Sequence, residues 1–568
     1  MGMEGKHMRG RKLGIALAAL AIVAAGAGAL DLQPGRSGDP ADALSGTVAS
    51  AGVPMEGVVV TVRQSGSTIA TSVVSDAQGR YRFPRGRLAV GDYAVSIKAA
   101  GFDLDNAAPI SIAASQSRIA DLRLVKTKDM AAQLSNTEWY MSWPGRDEDK
   151  RLARGCTHCH TYERIARSTH TADEFMQVIQ RMSSYPQLAF PRKVQLLPAV
   201  RSADPPVNME SRRRLANFLA TINRSSGPWK YELKTLPRPK GRATQVIYTE
   251  YDLPEKTRQP HDVIVDSKGM VWYADFGDQI LGKLDPATAK VTEYKVPLAK
   301  PGAPTGTLAL RFDQDENLWL GMQFQAAISK FDQKTEKFEV YPLPPQFNTP
   351  DVQVNQVSAA HSNVDGKVWF QDAGTYRVFR LDLKTKGVEV FAPYPNIPRP
   401  NLYDVISDAQ NNAYFTIFGG EEIGRIDAKT GKIQMWRTPT QRSGPRRGML
   451  DEQGRLWFGE NAGDRIGMFD PKTEQFKEWA PPTPMAWPYD VAVDTSGEVW
   501  TGGEWDDRIL RLNPATGEFV QYLLPRFTNL RRTFVQNLPQ GTTFWVGNTH
   551  EASIIKLEPL DIVKAAAR

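Results

Sequence analysis

Seven copies of one sequence unit fill the C-terminal part of this chain, beginning near Gln245. Each copy spans about 42 to 50 residues and contains an apolar strand ending in Asp, a glycine turn, an aromatic strand, an Ile-x-Lys/Arg strand and an Asp-Pro-x-Thr-Gly-like turn. The aromatic strands are Val271-Trp272-Tyr273, Leu318-Trp319-Leu320, Val368-Trp369-Phe370, Ala413-Tyr414-Phe415, Leu456-Trp457-Phe458, Val499-Trp500-Thr501 and Phe544-Trp545-Val546. Because one such unit cannot bury both of its faces alone, the repeat predicts a seven-bladed β-propeller over residues 243–560.

An early strand is predicted to close the ring. The segment from Gln245 to Tyr251 has the pattern of the outer strand from Glu518 to Tyr522. We therefore expect it to complete the last blade as its fourth strand.

The first strand of each blade is predicted to line the central funnel. Aligning these strands places His261, Thr305, Asn355, Tyr403, Arg446, Tyr489 and Arg531 at one position. His261, Tyr403, Arg446, Tyr489 and Arg531 are the predicted contacts for an anionic or hydroxylated small molecule, because a guanidinium offers a planar fork of donors to a carboxylate. The alternative is that these side chains only bind channel water and backbone carbonyls. His361 and His550 are interpreted as surface or packing residues.

The repeat, with Trp457-Phe458-Gly459-Glu460 and Asp464-Arg465-Ile466-Gly467, resembles virginiamycin B (streptogramin) lyase, a family of seven-bladed propellers. The resemblance implies the propeller fold and a magnesium-dependent elimination across an ester-linked C–O bond. In that family, histidines at Pro-His blade starts, a glutamate two residues before one of them, and a glutamate after a Trp-Phe strand do the chemistry. His261 matches one of these histidines and is the candidate catalytic residue.

The chain departs from that pattern at the acids. Position 259 is Gln, no second blade starts with His, and Asp275 replaces the other acid only loosely. Since a lost carboxylate is a lost magnesium ligand, lyase activity becomes the alternative function, together with a non-catalytic binding propeller.

Both cysteines of the chain lie in the run Cys156-Thr157-His158-Cys159-His160. A C-x-x-C-H run is typical of covalent haem c attachment, in which two thiols add to the vinyl groups and the following histidine, His160, ligates iron. A redox C-x-x-C would be expected in a thioredoxin-like βαβ context, and a zinc half-site would need two more ligands. The sequence shows neither, and haem c is the predicted cofactor.

Helical spacing surrounds the motif from residue 131 to 224, which predicts a small α-helical cytochrome c domain. Thr171 and Glu174 form a predicted capping box at the start of a helix. The sixth iron ligand is predicted to be Met182, which closes an Arg-Met helix as in similar cytochrome segments. Met209 and Met176 are alternatives, and His170 is interpreted as a solvated residue at the helix start.

Residues 43–126 alternate apolar and polar side chains in short strands, which predicts a half-buried β-sandwich. The order Gly46-Thr47-Val48, Gly57, Asp76 to Tyr81, Gly91 to Val95 and Ala100-Gly101-Phe102 resembles a carboxypeptidase regulatory-like domain, a transthyretin-like sandwich. Such domains bring no catalytic residues. The predicted fold class is therefore multidomain and mainly β, with this sandwich, the cytochrome domain, a linker at residues 225–242 and the propeller.

Residues 1–29 are predicted to be a secretory signal peptide, with basic residues before the apolar run from Leu13 to Ala25. The expected location is the bacterial periplasm or another exported compartment, and membrane association is expected only if the signal stays uncleaved. The signal removes four basic residues and one acid, which lowers the net charge from +7 to +4 and argues against nucleic acid binding.

The sequence thus predicts periplasmic electron transfer with an unidentified redox partner, or a haem-linked oxidoreductase with a small-molecule site in the funnel. Magnesium is expected only for the lyase alternative.

Overall fold

The computed structural model describes residues 42–105, 108–114, 116–187, 189–197, 209–394 and 401–561. The first of these ranges begins a two-layered β-sandwich. The strands of one layer are β1 (Asp42–Ser50), β2 (Val53–Pro54), β5 (Arg80–Pro84), β7 (Phe102–Leu104), β9 (Arg118–Ile119) and β10 (Leu122–Lys126), and those of the other are β3 (Val59–Gln64), β4 (Ile69–Val74), β6 (Gly91–Lys98) and β8 (Ile110–Ile112). In β6, Tyr93 and Val95 are buried while Asp92 and Ala94 are exposed. The predicted period of two and the half-buried sandwich are therefore confirmed.

A helical segment follows the sandwich. Its helices are α1 (Asn136–Ser142), α2 (Asp147–Leu152), α3 (Tyr162–Ala166), α4 (Ala172–Met182) and α5 (Met209–Ile222), and its 3₁₀ turns are Met130–Gln133 and Arg154–His158. The predicted capping box is confirmed, because the Glu174 backbone N–H donates to Thr171 Oγ1 and the Thr171 backbone N–H donates to Glu174 Oε2 at 2.7 Å. No helix in the described ranges is long and apolar enough to cross a membrane.

The propeller has the seven four-stranded antiparallel sheets that the repeat predicts. Blade 1 consists of β12 (Pro260–Val265), β13 (Val271–Asp275), β14 (Ile280–Leu284) and β15 (Val291–Lys295), and blade 2 of β16 (Leu310–Phe312), β17 (Leu318–Gly321), β18 (Ala327–Asp332) and β19 (Lys337–Pro342). Blade 3 consists of β20 (Val354–Ser358), β21 (Lys367–Asp372), β22 (Arg377–Asp382) and β23 (Val388–Phe391), and blade 4 of β24 (Leu402–Ser407), β25 (Ala413–Ile417), β26 (Glu422–Ile426) and β27 (Ile433–Arg437). Blade 5 consists of β28 (Pro445–Leu450), β29 (Leu456–Glu460), β30 (Arg465–Asp470) and β31 (Gln475–Trp479), and blade 6 of β32 (Pro488–Val493), β33 (Val499–Gly503), β34 (Arg508–Asn513) and β35 (Glu518–Leu523). Two 3₁₀ turns, Gly241–Thr244 and Pro345–Phe347, lie in this part of the chain.

A side-chain hydrogen bond explains why four of the seven blades pair a turn Asp with a strand Trp. In blade 6, Asp494 Oδ1 accepts the backbone N–H groups of Ser496 and Glu498, while Asp494 Oδ2 accepts the indole N–H of Trp500 at 2.8 Å. The same Asp-to-Trp bond, six residues apart, recurs at Trp272, Trp319 and Trp457. The Asp thus fixes the turn and satisfies the one polar atom of a buried indole.

The seventh blade closes the ring with an early strand. Its strands are β36 (Leu530–Leu538), β37 (Gly541–Asn548), β38 (Ser553–Pro559) and β11 (Val246–Asp252), which pairs antiparallel with β38 from Val246–Pro559 to Asp252–Ser553. The strand from Gln245 to Tyr251 therefore closes the ring as its pattern predicts.

The sandwich continues this seventh blade. Strand β4 pairs antiparallel with β11, with Thr71 opposite Thr249, so one eight-stranded sheet joins the two β domains. Lys98 of the sandwich also binds Asp507 of blade 6 at 2.8 Å.

The predicted linker at residues 225–242 packs against the helical segment. The Trp229 indole N–H donates to the Ala166 carbonyl, and the Leu236 backbone N–H donates to Glu138 Oε1. The predicted signal peptide lies outside the described residues.

Candidate functional site

The C-x-x-C-H segment lies on a 3₁₀ turn between α2 and α3. Cys156 and Cys159 are half-buried and form no disulfide. Burial raises the pKa of the Cys156 thiol to about 12 and that of Cys159 to about 11. Redox-active C-x-x-C motifs instead stabilise a thiolate with a depressed pKa, so this environment does not favour the dithiol alternative.

His160 is held in one tautomer. Its Nδ1 lies 3.0 Å from the Thr161 carbonyl oxygen, so Nδ1–H donates there and Nε2 keeps its lone pair. Burial lowers the pKa of His160, which favours the neutral imidazole that metals bind. A neutral imidazole with a free lone pair on Nε2 fits the predicted role of His160 as an iron ligand.

The methionines around the motif differ in exposure. Met182 is the last residue of α4 and 39% exposed, and Met209, the first residue of α5, is 59% exposed. Met176 is partly buried against the aromatic core that also contacts Cys156. Met182 as the sixth ligand stays a prediction.

An aromatic core joins the helical segment to the propeller. The rings of Trp143 and Tyr162 lie 4.4 Å apart, and Tyr162 lies 5.3 Å from Trp505 of blade 6. Trp505 in turn stacks on Trp487 at 4.6 Å. Because these rings are fully or almost fully buried, the helical segment is fixed on the funnel side of blade 6.

The structure brings together all five predicted funnel residues. His261 Nε2 lies 3.0 Å from Tyr489 Oη, and the Tyr489 and Tyr403 hydroxyls are hydrogen-bonded to each other. The Arg446 guanidinium lies 3.7 Å from the Tyr489 ring centre, and that of Arg531 lies 5.1 Å from it. These side chains form one contiguous layer rather than separate blade features.

The alignment was wrong in blade 2. His261 stands five residues before the turn Asp266, and the residue at that distance before Asp313 is Leu308, which lines the funnel. Thr305 instead donates its backbone N–H to Gln195 Oε1 at 2.8 Å. The blade 2 segment is longer between its proline and its strand, which shifted the register. Asn355 does line the funnel.

Both ring nitrogens of His261 are hydrogen-bonded to other side chains. Its Nδ1 lies 2.7 Å from Asp262 Oδ1, and Asp262 is also bound by both Nη atoms of Arg447 at 2.6 and 2.9 Å. Burial lowers the pKa of His261 to about 4, although Asp262 opposes this shift. The neutral ring therefore donates from Nδ1 and accepts the Tyr489 O–H at Nε2, and Tyr489 in turn accepts from Tyr403.

Glu504, which the sequence did not reveal, holds the two funnel arginines. Its Oε2 lies 2.9 Å from Arg446 Nη1 and its Oε1 lies 2.6 Å from Arg531 Nη1. Burial raises the pKa of this carboxyl, but Arg446 and Arg531 outweigh burial and lower it to about 2. Glu504 directly follows β33, the second strand of blade 6. Only an alignment of the second strands of the blades could have predicted that its side chain reaches the funnel.

The segment that contains the C-x-x-C-H run covers the funnel mouth. His158, between the two cysteines, and Gln187 line the funnel cavity together with Tyr403, Arg446 and Arg531. Arg154, on the same 3₁₀ turn, lies 3.3 Å above the Trp487 ring and binds Asn461. The cavity beneath has a volume of about 50 Å³. The predicted haem site and the predicted ligand site are therefore adjacent.

The residues that would replace the lyase acids do not form a magnesium site. Asp275 is fully buried and accepts backbone N–H groups from Gln259, Gly277 and Asp278. Burial raises its pKa to about 7. Over the described ranges, no three His, Cys, Asp or Glu side chains lie close enough to hold a metal ion. Asp275 stabilises a turn instead.

Comparison with protein families identifies the two β domains. The virginiamycin B lyase family matches residues 241–447, and the carboxypeptidase regulatory-like domain matches residues 43–125. The chain contains a virginiamycin B lyase-like propeller. It also contains a carboxypeptidase regulatory-like sandwich, and neither match extends over the helical segment.

Similar solved structures each align with about half of this chain. Selenomethionine-substituted virginiamycin B lyase from Staphylococcus aureus is 22% identical, with a TM-score of 0.48, over 55% of this chain and 99% of that one. A streptogramin B lyase structure is 21% identical, with a TM-score of 0.48, over 56% and 99%. YCF48 bound to D1 peptide is 14% identical, with a TM-score of 0.42, over 54% and 96%. No curated protein matches significantly.

Proposed function

We propose that this protein is an exported c-type haem protein in which the haem segment caps the funnel of a lyase-like propeller. Cys156, Cys159 and His160 would hold the haem. The observation that supports this proposal is the adjacency of the motif and the funnel, since His158 lies between the two thiols and lines the funnel cavity. The proposed activity is periplasmic electron transfer, or oxidation or reduction of a small molecule held in the funnel.

The surroundings of the motif fit a haem. Trp139 Nε1, Trp143 Nε1 and Tyr162 Oη are buried and have no hydrogen-bond partner among the described residues. A buried donor without a partner costs free energy, and the propionates of a haem would accept hydrogen bonds from such groups. A bound haem would supply reversible one-electron chemistry at iron, and His160 and the aromatic core would hold it.

Covalent attachment is the direct test of the cofactor. The protein is produced in a bacterium that matures periplasmic cytochromes c, and haem is detected by peroxidase staining after denaturing electrophoresis. We expect staining of the wild type and none of Cys156→Ala/Cys159→Ala. His158→Ala is the matched control, because it leaves both thiols and His160 in place. A wild-type band without haem would reject the proposal.

The sixth ligand has a spectroscopic test. If Met182 ligates iron, the wild type is low-spin and Met182→Ala is high-spin in the visible spectrum. Met209→Ala, which removes the alternative methionine, should then leave the spectrum low-spin. An unchanged spectrum of Met182→Ala assigns the ligand elsewhere.

The second candidate is the magnesium-dependent C–O lyase, which the family match over residues 241–447 favours. The buried His261, occupied at both nitrogens, and the 50 Å³ cavity disfavour a large cyclic substrate, since ligand pockets of drug size hold about 300 Å³ or more. We expect the protein with magnesium to leave a streptogramin ring intact. Ring opening that His261→Ala abolishes would establish the lyase instead.

A further inference from the structure

Three guanidinium groups meet at the funnel mouth around a single carboxylate. Arg446 and Arg531 come from the first strands of blades 5 and 7, and Arg154 comes from the 3₁₀ turn of the helical segment. Glu504 binds Arg446 and Arg531, whereas Arg154 is bound to the neutral Asn461. This layer therefore has two more positive than negative charges.

Neighbouring acids do not remove the excess. The layer beneath is balanced, since Asp262, Asp404 and Asp490 face Arg447, Arg311 and Arg532. Asp464 also lies near Arg154, and it accepts the backbone N–H groups of Met485 and Trp487. Even when Asp464 is counted as ionised, one positive charge stays uncompensated.

Arg446 and Arg531 line the cavity, and each has one donor that no hydrogen bond among the described residues uses. Arg446 and Arg531 are 4% and 3% exposed, and the Nε–H of each has no partner within the described part of the chain. Tyr403 and Tyr489 supply no negative charge, because the Tyr489 O–H donates to His261 Nε2 and the Tyr403 O–H donates to Tyr489, so both phenols are neutral. Buried charges in proteins are paired or bind ions, since an unpaired one carries a large desolvation cost.

We propose that the capped funnel binds a small monovalent oxyanion, such as a carboxylate of a few non-hydrogen atoms, beside Arg446 and Arg531, with Arg154 supplying a further positive charge behind them. The cavity of about 50 Å³ limits the ligand to a few non-hydrogen atoms, because one water needs about 10–15 Å³ of cavity volume. Two oxygens on one atom suit guanidinium donors. The proposal names the ligand that the proposed function leaves open, and it does not depend on haem attachment.

The test compares formate with formamide, its neutral counterpart of the same shape. Binding to the full-length protein is measured by titration calorimetry and by the shift in Tm at constant ionic strength. We expect formate to bind and raise Tm and formamide to do neither. Equal responses to formate and formamide would overturn the proposal.

Two substitutions with opposite expected signs locate the site. Arg531→Gln should weaken formate binding about tenfold or more, and Glu504→Gln should strengthen it by removing the competing carboxylate. Both remove a buried ion pair, so a purely structural role would not give opposite signs. If Arg531→Gln fails to fold, Arg154→Gln replaces it, because Arg154 does not bind Glu504.

Arg437→Gln is the surface control. Arg437 lies on β27, the outer strand of blade 4, where its side chain is 73% exposed and pairs with Glu421. The substitution should therefore not change the affinity for formate. Affinity that is unaltered by both Arg531→Gln and Glu504→Gln, or reduced equally by Arg437→Gln, would place the anion outside the funnel and reject the inference.

Discussion

Glu504→Gln is expected to be a strongly destabilising substitution, although it keeps the shape of the side chain. The pKa of Glu504 falls from the ordinary 4.5 to about 2 because Arg446 and Arg531 outweigh burial. A shift of that size corresponds to roughly 3 kcal/mol of stability at neutral pH. Breaking a buried ion pair costs about 3–5 kcal/mol, which agrees.

The sign of the pH dependence follows from the depressed pKa. The stabilisation is fully present above the unfolded-state pKa of Glu504 and is lost as pH falls from about 4.5 towards 2. The wild type and Glu504→Gln should therefore differ most at neutral pH and converge in acid.

Denaturant unfolding followed by tryptophan fluorescence measures this difference. Glu452→Gln is the control, because Glu452 is exposed and its substitution should change stability by less than about 0.5 kcal/mol. A Glu504→Gln loss below about 1 kcal/mol, or a difference that does not depend on pH, would refute the assignment of Glu504 as the ion-pair partner.

Three further predictions concern the fold and the funnel. Asp494→Ala should lower the free energy of unfolding by about 1–3 kcal/mol, because the buried Trp500 indole loses its acceptor; a loss confined to the error of denaturant titration would contradict this. Gly547→Ala should destabilise the closure of blade 7 against blade 1, since a Cβ there would lie 2.0 Å from the Pro260 carbonyl oxygen; an unchanged Tm would count against that contact. Tyr489→Phe should cost about 1–3 kcal/mol by leaving the buried acceptor His261 Nε2 unpaired, and equal stability in denaturant titrations would show that this bond contributes nothing.

The repeat made the propeller predictable because each signature residue has a local task. In blades 1, 2, 5 and 6 the turn Asp and the strand Trp bind each other at a spacing of six residues, so this part of the pattern recurs. The funnel residues His261, Arg446 and Tyr489 could be predicted because each stands five residues before such an Asp. Thr305 was misassigned because it was counted from the proline instead.

The contacts between domains were not predictable. Strand β4 adds to β11 through backbone hydrogen bonds, which leave no side-chain pattern in the sequence. Arg154 and His158 gain their significance only when the helical segment docks on Trp487 and Trp505. Glu504 likewise becomes recognisable only when strands from blades 5, 6 and 7 converge.

If the proposed haem is attached at Cys156 and Cys159, its redox potential tests most directly whether the motif and the funnel form one site. Removing a nearby positive charge disfavours the reduced, more negative haem, so Arg531→Gln should lower the midpoint potential by tens of millivolts, on the order of 1 kcal/mol at an effective dielectric of about 20. Arg437→Gln on the outer strand of blade 4 should leave it unchanged. Equal potentials for the wild type and Arg531→Gln would contradict a haem at the funnel mouth.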